Sequence, residues 1–211
     1  MPLTEPFDRQ PDRYEDWFDH HGAAYRSELR ALDRFVNSGA VGLEIGVGSG
    51  RFAAPLGIGV GVDPSPAMLR RARDRGIEVV RGTAEDLPVA ANSIDVALLV
   101  TAICFVSDLD ATFAEAARVL REDGRLVLGY VDRESDIGRE YQASKDENPF
   151  YRDATFYATD EVLNRLDAMG FRDVDVAQTI FHSLGEVRSI EPVREGSGEG
   201  SFVALSARPP R

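Results

Sequence analysis

Short apolar runs alternate with amphipathic segments along most of this chain, and this alternation limits the fold more than any other feature. We predict buried strands at seven of these runs, namely 41–45, 57–62, 77–80, 93–100, 125–131, 173–181 and 200–207. Helical segments separate most of them, which is the pattern of parallel strands joined by crossover helices. The sequence therefore predicts an α/β fold with a doubly wound, mostly parallel sheet that carries helices on both faces.

The segments around this predicted sheet indicate how the chain is organised. Apolar residues between positions 17 and 36 recur at spacings of three and four, which predicts a helical arm or lid over residues 1–40. The core is expected at 41–136, with a helix that begins near Arg51 and an amphipathic helix over 109–124. A polar and aromatic insert at 137–158 is expected to form a cap, and residues 159–211 complete the same core.

Three polar or glycine-rich stretches follow successive predicted strands. They are the glycine loop at 44–50, Asp63 at the end of the second strand, and the pair at 84–85 after the third. Parallel strands bring their carboxyl ends to one edge of a sheet, where α/β proteins bind ligands. We therefore expect these stretches to lie around one pocket.

Each stretch offers a different contact to a ligand. Gly46 and Gly48 lack a Cβ atom, so their backbone can press against a bound molecule. The N–H groups of the helix expected after Gly50 are free for an anionic tail such as a carboxylate. Asp63 can accept hydrogen bonds from two vicinal ribose hydroxyls, and Glu85 can accept one from an adenine amino group. Together they describe a pocket for adenosine that carries a tail.

Four longer stretches resemble the successive motifs of class I S-adenosylmethionine-dependent methyltransferases. They are "GLEIGVGSGRFA", "GVDPSPAML", "GTAEDLPVAANSIDVALLVTAICFV" and "ARVLREDGRLVLGYVDR", and the resemblance spans residues 12–207. It implies a Rossmann-like sheet of seven strands, of which the last is antiparallel, with S-adenosylmethionine as the cofactor and methyl transfer as the activity.

The resemblance also implies roles for individual residues. Glu44 would lie near the amino group of the cofactor's methionine part, and Thr101 beside the methionine tail and the methyl group. Asp63 would bind the ribose hydroxyls, while Ala84 and Glu85 would hold the adenine. The full set of expected cofactor-binding residues is Tyr14, Glu44, Gly46, Gly48, Gly50, Asp63, Pro64, Ala84, Glu85 and Thr101.

Two departures from the family pattern bear on these roles. Many members carry Asp where this chain has Thr83, so the contact to the adenine amino group is assigned to Glu85. The family's Asn-Pro-Pro-Tyr or Asp-Pro-Pro-Tyr motif after the fourth strand is replaced by "VTAICF". This argues against an adenine, cytosine or glutamine amide nitrogen as the methyl acceptor.

Methyl transfer from an activated donor needs a general base only when the acceptor is protonated. Tyr130 and Asp132 follow the fifth predicted strand, and His21 lies on the arm. We expect these three residues to be the catalytic ones.

Charge and composition limit the classes of partner that we expect this protein to bind. The formal net charge is −12, Lys145 is the only lysine, and no basic run is present, which disfavours binding to nucleic acid. Such acidity fits a protein that stays soluble at high salt. No apolar run approaches the ~20 residues that cross a bilayer, and the acidic N-terminus does not resemble a signal peptide. We expect a small-molecule acceptor, no nucleic acid or membrane partner, a cytoplasmic location, and a monomer or homodimer.

With Cys104 as the only cysteine, an intrachain disulfide and a cysteine-based zinc site are excluded, and no metal is expected.

Two other readings stay open. One is a non-catalytic protein that binds S-adenosylmethionine. The other is an NAD-dependent oxidoreductase, which is disfavoured because Gly50 follows Gly48 by two residues instead of three and Asp63 comes too early for the dinucleotide fingerprint.

Overall fold

The structure is a computed structural model that describes residues 4–37 and 39–211. In that part of the chain eight strands form, namely β1 Gly42–Ile45, β2 Val60–Asp63, β3 Glu78–Arg81, β4 Ile94–Val100, β5 Leu120–Val131, β6 Arg172–Thr179, β7 Arg194–Glu195 and β8 Phe202–Arg208. They make one sheet in the order β3-β2-β1-β4-β5-β8-β6-β7. β1 to β5 pair in parallel, whereas β8 runs antiparallel to β5 and β6. The predicted Rossmann-like class is confirmed, and the short β7 is an unpredicted eighth strand.

The helices of the described residues are α1 Glu5–Arg9, α2 Pro11–His20, α3 Gly22–Asp33, α4 Pro66–Asp74, α5 Leu109–Val119, α6 Asp136–Ala143 and α7 Thr159–Ala168, with a 3₁₀ turn at Lys145–Glu147. Side chains fix several of their starts: Ser65, Asp108 and Ser135 each accept a hydrogen bond from a backbone N–H in the first turn. None of these helices is both long and apolar enough to cross a bilayer.

The predicted arm is three helices instead of one. α1 ends before Pro11, which has no N–H to continue a helix. α2 and α3 are separated by His21, whose backbone has φ −113° and ψ 37°. The arm is therefore interrupted at Gln10 and again at His21.

Two helix predictions next to the sheet were wrong. The helix expected near Arg51 is only a pair of helical turns, in which Ala54 N–H bonds to Gly50 and Leu56 N–H to Phe52. Pro55 interrupts this ladder, and the chain turns at Gly57, where φ is 73°. The helix expected to reach residue 124 ends at Val119, because the next residue already pairs with β4. The glycine loop is thus not followed by a helix long enough to favour an anion.

Apolar side chains cover both faces of the sheet. Along β4, Ala97 and Leu99 pack against Phe113 of α5 on one face. Val96, Leu98 and Val100 pack on the other face with the arm and α4. A strand buried on both sides reads as one continuous apolar run, which is why this stretch was recognisable in the sequence.

Candidate functional site

A pocket opens where the strand order reverses. The chain runs from β1 outward through β2 to β3 and then returns to β4 beside β1, and such switch points are where α/β sheets bind ligands. The cavity there has a volume of about 800 Å³ including its open mouth. We call it the strand-edge pocket. Its wall includes eight of the predicted cofactor-binding residues: Tyr14, Gly46, Gly48, Asp63, Pro64, Ala84, Glu85 and Thr101.

The glycine loop presses its backbone against this pocket at two positions. Gly46 and Gly48 have φ of 75° and 51°, in the left-handed region. A Cβ atom on Gly46 would lie 2.8 Å from the Ala102 Cβ, and one on Gly48 would lie 3.3 Å from the Tyr14 hydroxyl. Gly50 instead faces α4, where an added Cβ would come within 3.2 Å of the Ala72 Cα. The lack of a Cβ atom at Gly50 therefore allows α4 to pack closely against the glycine loop.

Asp63 anchors the loop on the opposite side of the pocket. Its Oδ2 accepts a hydrogen bond from Gly48 N–H at 2.9 Å, and its Oδ1 accepts one from Ser65 N–H at 2.8 Å. Burial raises the pKa of Asp63 to about 6, although these two hydrogen bonds act in the opposite direction. Each carboxylate oxygen keeps a further acceptor site, so the side chain can still receive donors from a ligand.

Glu44 lies beneath the glycine loop and is 1% exposed, so it does not itself form part of the pocket surface. Its Oε2 is buried and has no hydrogen-bond partner among the described residues. Burial raises the pKa of Glu44 well above its ordinary value, and a hydrogen bond from the Ala53 backbone offsets only part of that effect. One buried acceptor of Glu44 is therefore not satisfied by the described chain.

The loop after β3 reaches the pocket with Ala84 and Glu85. Glu85 Oε1 accepts hydrogen bonds from Ser107 N–H at 2.6 Å and from Asp108 N–H at 3.4 Å. This carboxylate therefore ties two loops together at the pocket edge. Its expected contact to an adenine amino group remains a prediction, and it would fall to the second oxygen.

Thr101 stands between this pocket and a second cavity, because its side chain belongs to the wall of both. It follows the last residue of β4 and has a φ of 49°, which is rare for a β-branched residue. The backbone is held in this conformation by a 2.7 Å hydrogen bond from Thr101 N–H to the Gly129 carbonyl. Strain of this kind concentrates at functional sites.

The second cavity lies between the arm and the insert and has a volume of about 1260 Å³ including its mouth. We call it the aromatic pocket, because nine aromatic side chains line it: Phe7, Tyr14, Trp17, Phe18, Phe52, Phe105, Tyr141, Phe150 and Tyr151. The rings brace one another, with Tyr141 and Tyr151 stacked at 4.9 Å between centroids. Its polar members include Glu28, His20 and His21.

Glu28 is the main residue of this cavity that the sequence analysis missed. It lies on α3, is 5% exposed, and has its pKa raised to about 8 by burial. A signal was present, since Glu28 follows Tyr25 by three residues and precedes Leu32 by four, the spacing of the helix's buried face.

The three predicted catalytic residues lie in different surroundings. His21 lines the aromatic pocket, and its Nδ1 donates to the Trp17 carbonyl at 3.0 Å, which leaves Nε2 as the acceptor in a neutral ring. Asp132 is buried, and its Oδ2 accepts hydrogen bonds from the Thr159 hydroxyl at 2.6 Å and the Thr159 N–H at 3.2 Å.

Tyr130 donates to the Thr159 hydroxyl at 3.2 Å, and burial raises its pKa. It also lines a small side cleft that includes Thr101 and Tyr141. Tyr130 and Asp132 therefore both hold the first turn of α7, and their catalytic roles remain predictions.

Comparisons with known proteins agree with this geometry. Residues 43–128 match a family model described as a methyltransferase domain. A crystal structure from Thermotoga maritima, described as an S-adenosylmethionine-dependent methyltransferase and possible histamine N-methyltransferase, is 46% identical with a TM-score of 0.94, over 98% of this chain and 99% of that one.

Two curated relatives add to this similarity. An uncharacterised protein of Methanocaldococcus jannaschii is 42% identical over 95% of this chain and 97% of its own length. A ubiquinone/menaquinone biosynthesis C-methyltransferase of Rhizobium meliloti is 35% identical over 49% of this chain and 42% of its own length.

Proposed function

Because this chain belongs to the class I S-adenosylmethionine-dependent methyltransferases, we propose that it methylates a small molecule bound in the aromatic pocket. The observation that carries the proposal is the shared wall of the two cavities. Thr101, Tyr14, Phe7 and Phe105 line both, so a ligand in one cavity adjoins a ligand in the other. Methyl transfer requires mainly that the protein hold the methyl donor and the acceptor close together and in line.

The residues of the strand-edge pocket fit S-adenosylmethionine, the cofactor of this family. Asp63 has acceptor sites left for ribose hydroxyls, and the carboxyl group of Glu44, beneath the glycine loop, would attract the cofactor's ammonium group from behind the pocket wall. Gly46 and Gly48 line the pocket with backbone atoms in a left-handed conformation that favours glycine. When bound, the cofactor supplies a methyl group activated by a sulfonium. The protein has to orient the acceptor and exclude water.

The arm and the insert supply the means of excluding water, and we assign them the roles of lid and cap. Trp17 and Phe18 of α2 face Tyr141 and Tyr151 of the insert across the aromatic pocket. A cavity enclosed by side chains in this way suits a small acceptor better than a macromolecule. The acidic net charge also works against a nucleic acid. The description of the Thermotoga maritima relative supports a small acceptor too.

His21 is the best candidate for a base, since its Nε2 is free to accept a proton in the neutral ring. A base is needed only if the acceptor arrives protonated at the reacting atom. Cytoplasmic activity as a monomer or homodimer is part of the same proposal.

The test is transfer of a labelled methyl group from S-adenosylmethionine into a cell extract that is then separated by size. We expect the label in the small-molecule fraction. Asp63→Ala should weaken S-adenosylhomocysteine binding by about 1–3 kcal/mol, the scale of leaving hydroxyl donors unpaired, and should slow transfer accordingly at limiting S-adenosylmethionine. Asp33→Asn, an exposed change on α3, is the control. Label found only in protein or nucleic acid would refute a small acceptor.

A further inference from the structure

Glu28 places a carboxyl group in the wall of the aromatic pocket, and no residue of the described chain pairs with it. Its side chain is 95% removed from solvent and lines the cavity. Within residues 4–37 and 39–211, no hydrogen bond or ion pair reaches its carboxylate, and burial alone shifts its pKa. Buried carboxyl groups are normally paired, because desolvation without a partner is costly. A carboxyl group left unpaired at a cavity wall indicates a partner that enters the cavity.

The surrounding rings suit a cation. Trp17, Tyr141, Tyr151 and Phe150 all line the same cavity, and aromatic faces attract ammonium groups. Glu28 lies close enough to Tyr141 and Tyr151 that, after burial, its charge adds to the rise in the pKa of both phenols. The carboxylate and the aromatic faces therefore act on the same space.

The other charged groups of the pocket do not cancel Glu28. Arg13 is exposed, and its guanidinium lies 6.0 Å from the centre of the Phe150 ring. Asp16, on α2, is the second acidic residue of the pocket after Glu28. His20 and His21 each hydrogen-bond a backbone carbonyl of α2 through Nδ1. The buried end of the cavity is thus acidic and aromatic, whereas its single guanidinium lies at the solvent side.

We infer that the acceptor carries a protonated amino group, which Glu28 binds as its counter-charge inside the aromatic pocket. The inference rests on the proposed function, because it identifies the chemical class of the molecule that enters beside the cofactor. Glu28 acts here as a residue that selects and positions the acceptor. Neutral molecules of equal size leave its carboxyl unpaired and should bind more weakly.

Trp17 offers a direct readout of binding, since it is the only tryptophan of the chain and lines the aromatic pocket. The protein saturated with S-adenosylhomocysteine would be titrated with butylamine, phenethylamine and cyclohexylmethylamine, and with the three corresponding alcohols, while Trp17 fluorescence is followed. We expect at least one amine to bind tenfold or more tightly than its alcohol. Glu28→Gln should remove that advantage and leave alcohol binding unchanged. Asp33 is exposed on the same helix, so the control variant Asp33→Asn should keep the preference for the amine.

Two results would overturn the inference: equal affinity for every amine and its alcohol in the unaltered protein, or an amine preference that survives Glu28→Gln. The first needs no variant, and unchanged S-adenosylhomocysteine binding shows that Glu28→Gln is folded. Labelled-methyl transfer separates the two proposals. Transfer to neutral small molecules without any preference for amines would refute this inference but not the proposed function. The absence of transfer to any small molecule would refute the proposed function.

Discussion

Three carboxyl groups are buried around the two pockets, namely Glu28, Glu44 and Asp63. Burial raises the pKa of each, to about 8 for Glu28 and about 6 for Asp63. Only Asp63 has two backbone donors to offset the cost. The protein without ligands therefore stores unfavourable desolvation at the positions where ligands would supply donors or positive charge, which is common at functional sites.

The stability of the protein should depend on pH through Glu28. Its pKa is higher in the folded state, at about 8, than in the unfolded chain, so its favourable contribution is complete below about pH 4.5 and is lost as pH rises to about 8. Glu28→Gln removes this loss. We expect the variant to become progressively more stable than the unaltered protein over this range, by about 1.4 kcal/mol for each unit of pKa difference.

Urea unfolding of both proteins at several pH values measures that difference. Glu44 and Asp63 titrate in both proteins, so the comparison cancels their contributions. A difference that stays constant from pH 4.5 to 8 would show that Glu28 is not desolvated as the structure has it.

Sequence patterns predicted the residues that follow strands better than those that meet across helices. Gly48 and Asp63 could be placed because parallel strands bring their ends together whatever the side chains are. Glu28 could not, since its cavity exists only after the arm has packed on the insert. Asp132 was predicted as catalytic from its place after β5, but the position of α7, which supplies its partner Thr159, is a matter of packing that no local pattern reveals.

At the scale of elements, α2 is joined to the glycine loop by a cluster of ion pairs. Glu15 Oε2 accepts from Arg51 Nε and from Arg75, the residue that follows α4, each at 2.7 Å. The Glu15 side chain is 10% exposed and the two arginines are 22% and 30% exposed, so solvent screens these pairs only in part. The arm thus closes over the strand-edge pocket through the residue that directly follows Gly50.

Glu15→Gln should loosen this closure. Because the cluster is partly buried, we expect a loss of about 2 kcal/mol in unfolding free energy, between the values for surface and buried pairs. Binding of S-adenosylhomocysteine should weaken as well. Asp12→Asn removes the pair between Arg71 and Asp12, whose acid is 90% exposed, and should cost less than about 1 kcal/mol. Equal losses in the two variants would mean that the cluster does not hold the arm.

Elements were predictable where a run of apolar residues indicates them, and not where a single residue interrupts the pattern. The strands of the sheet were found because apolar runs of this length permit little else. Near Arg51 we expected a helix after the glycine loop, but Pro55 removes the hydrogen-bond donor that a helix needs there. In the arm, spacing alone could not show that the chain breaks at His21.

On the scale of the whole molecule, charge is the dominant feature. A net charge of −12 on 211 residues creates repulsion throughout the surface. Many of the arginines already pair with exposed acids, and such pairs contribute little each. Lysine cannot balance the remaining acidic residues, because the chain has only one lysine.

Sodium chloride should therefore stabilise the protein. Raising it from 0.1 M to 1 M shortens the Debye length from about 10 Å to about 3 Å, which weakens the repulsion. We expect the Tm to rise, by roughly 2–4 °C for each kcal/mol gained. Differential scanning calorimetry at pH 7 measures the Tm at each salt concentration, and sucrose of equal osmolality is the uncharged control. A Tm that falls with salt would show that ion pairs outweigh the net charge.

The place of β8 in the sheet bears on how the protein is made. This strand comes after all the others in the sequence, yet it lies between β5 and β6. While the ribosome is still translating, β1 to β5 can assemble as soon as they emerge, but β6 has only the two-residue β7 to pair with until β8 is out of the exit tunnel. The antiparallel half of the sheet must therefore complete after synthesis of Phe202–Arg208, and until then one side of β5 is an open edge to which a strand of another chain could pair.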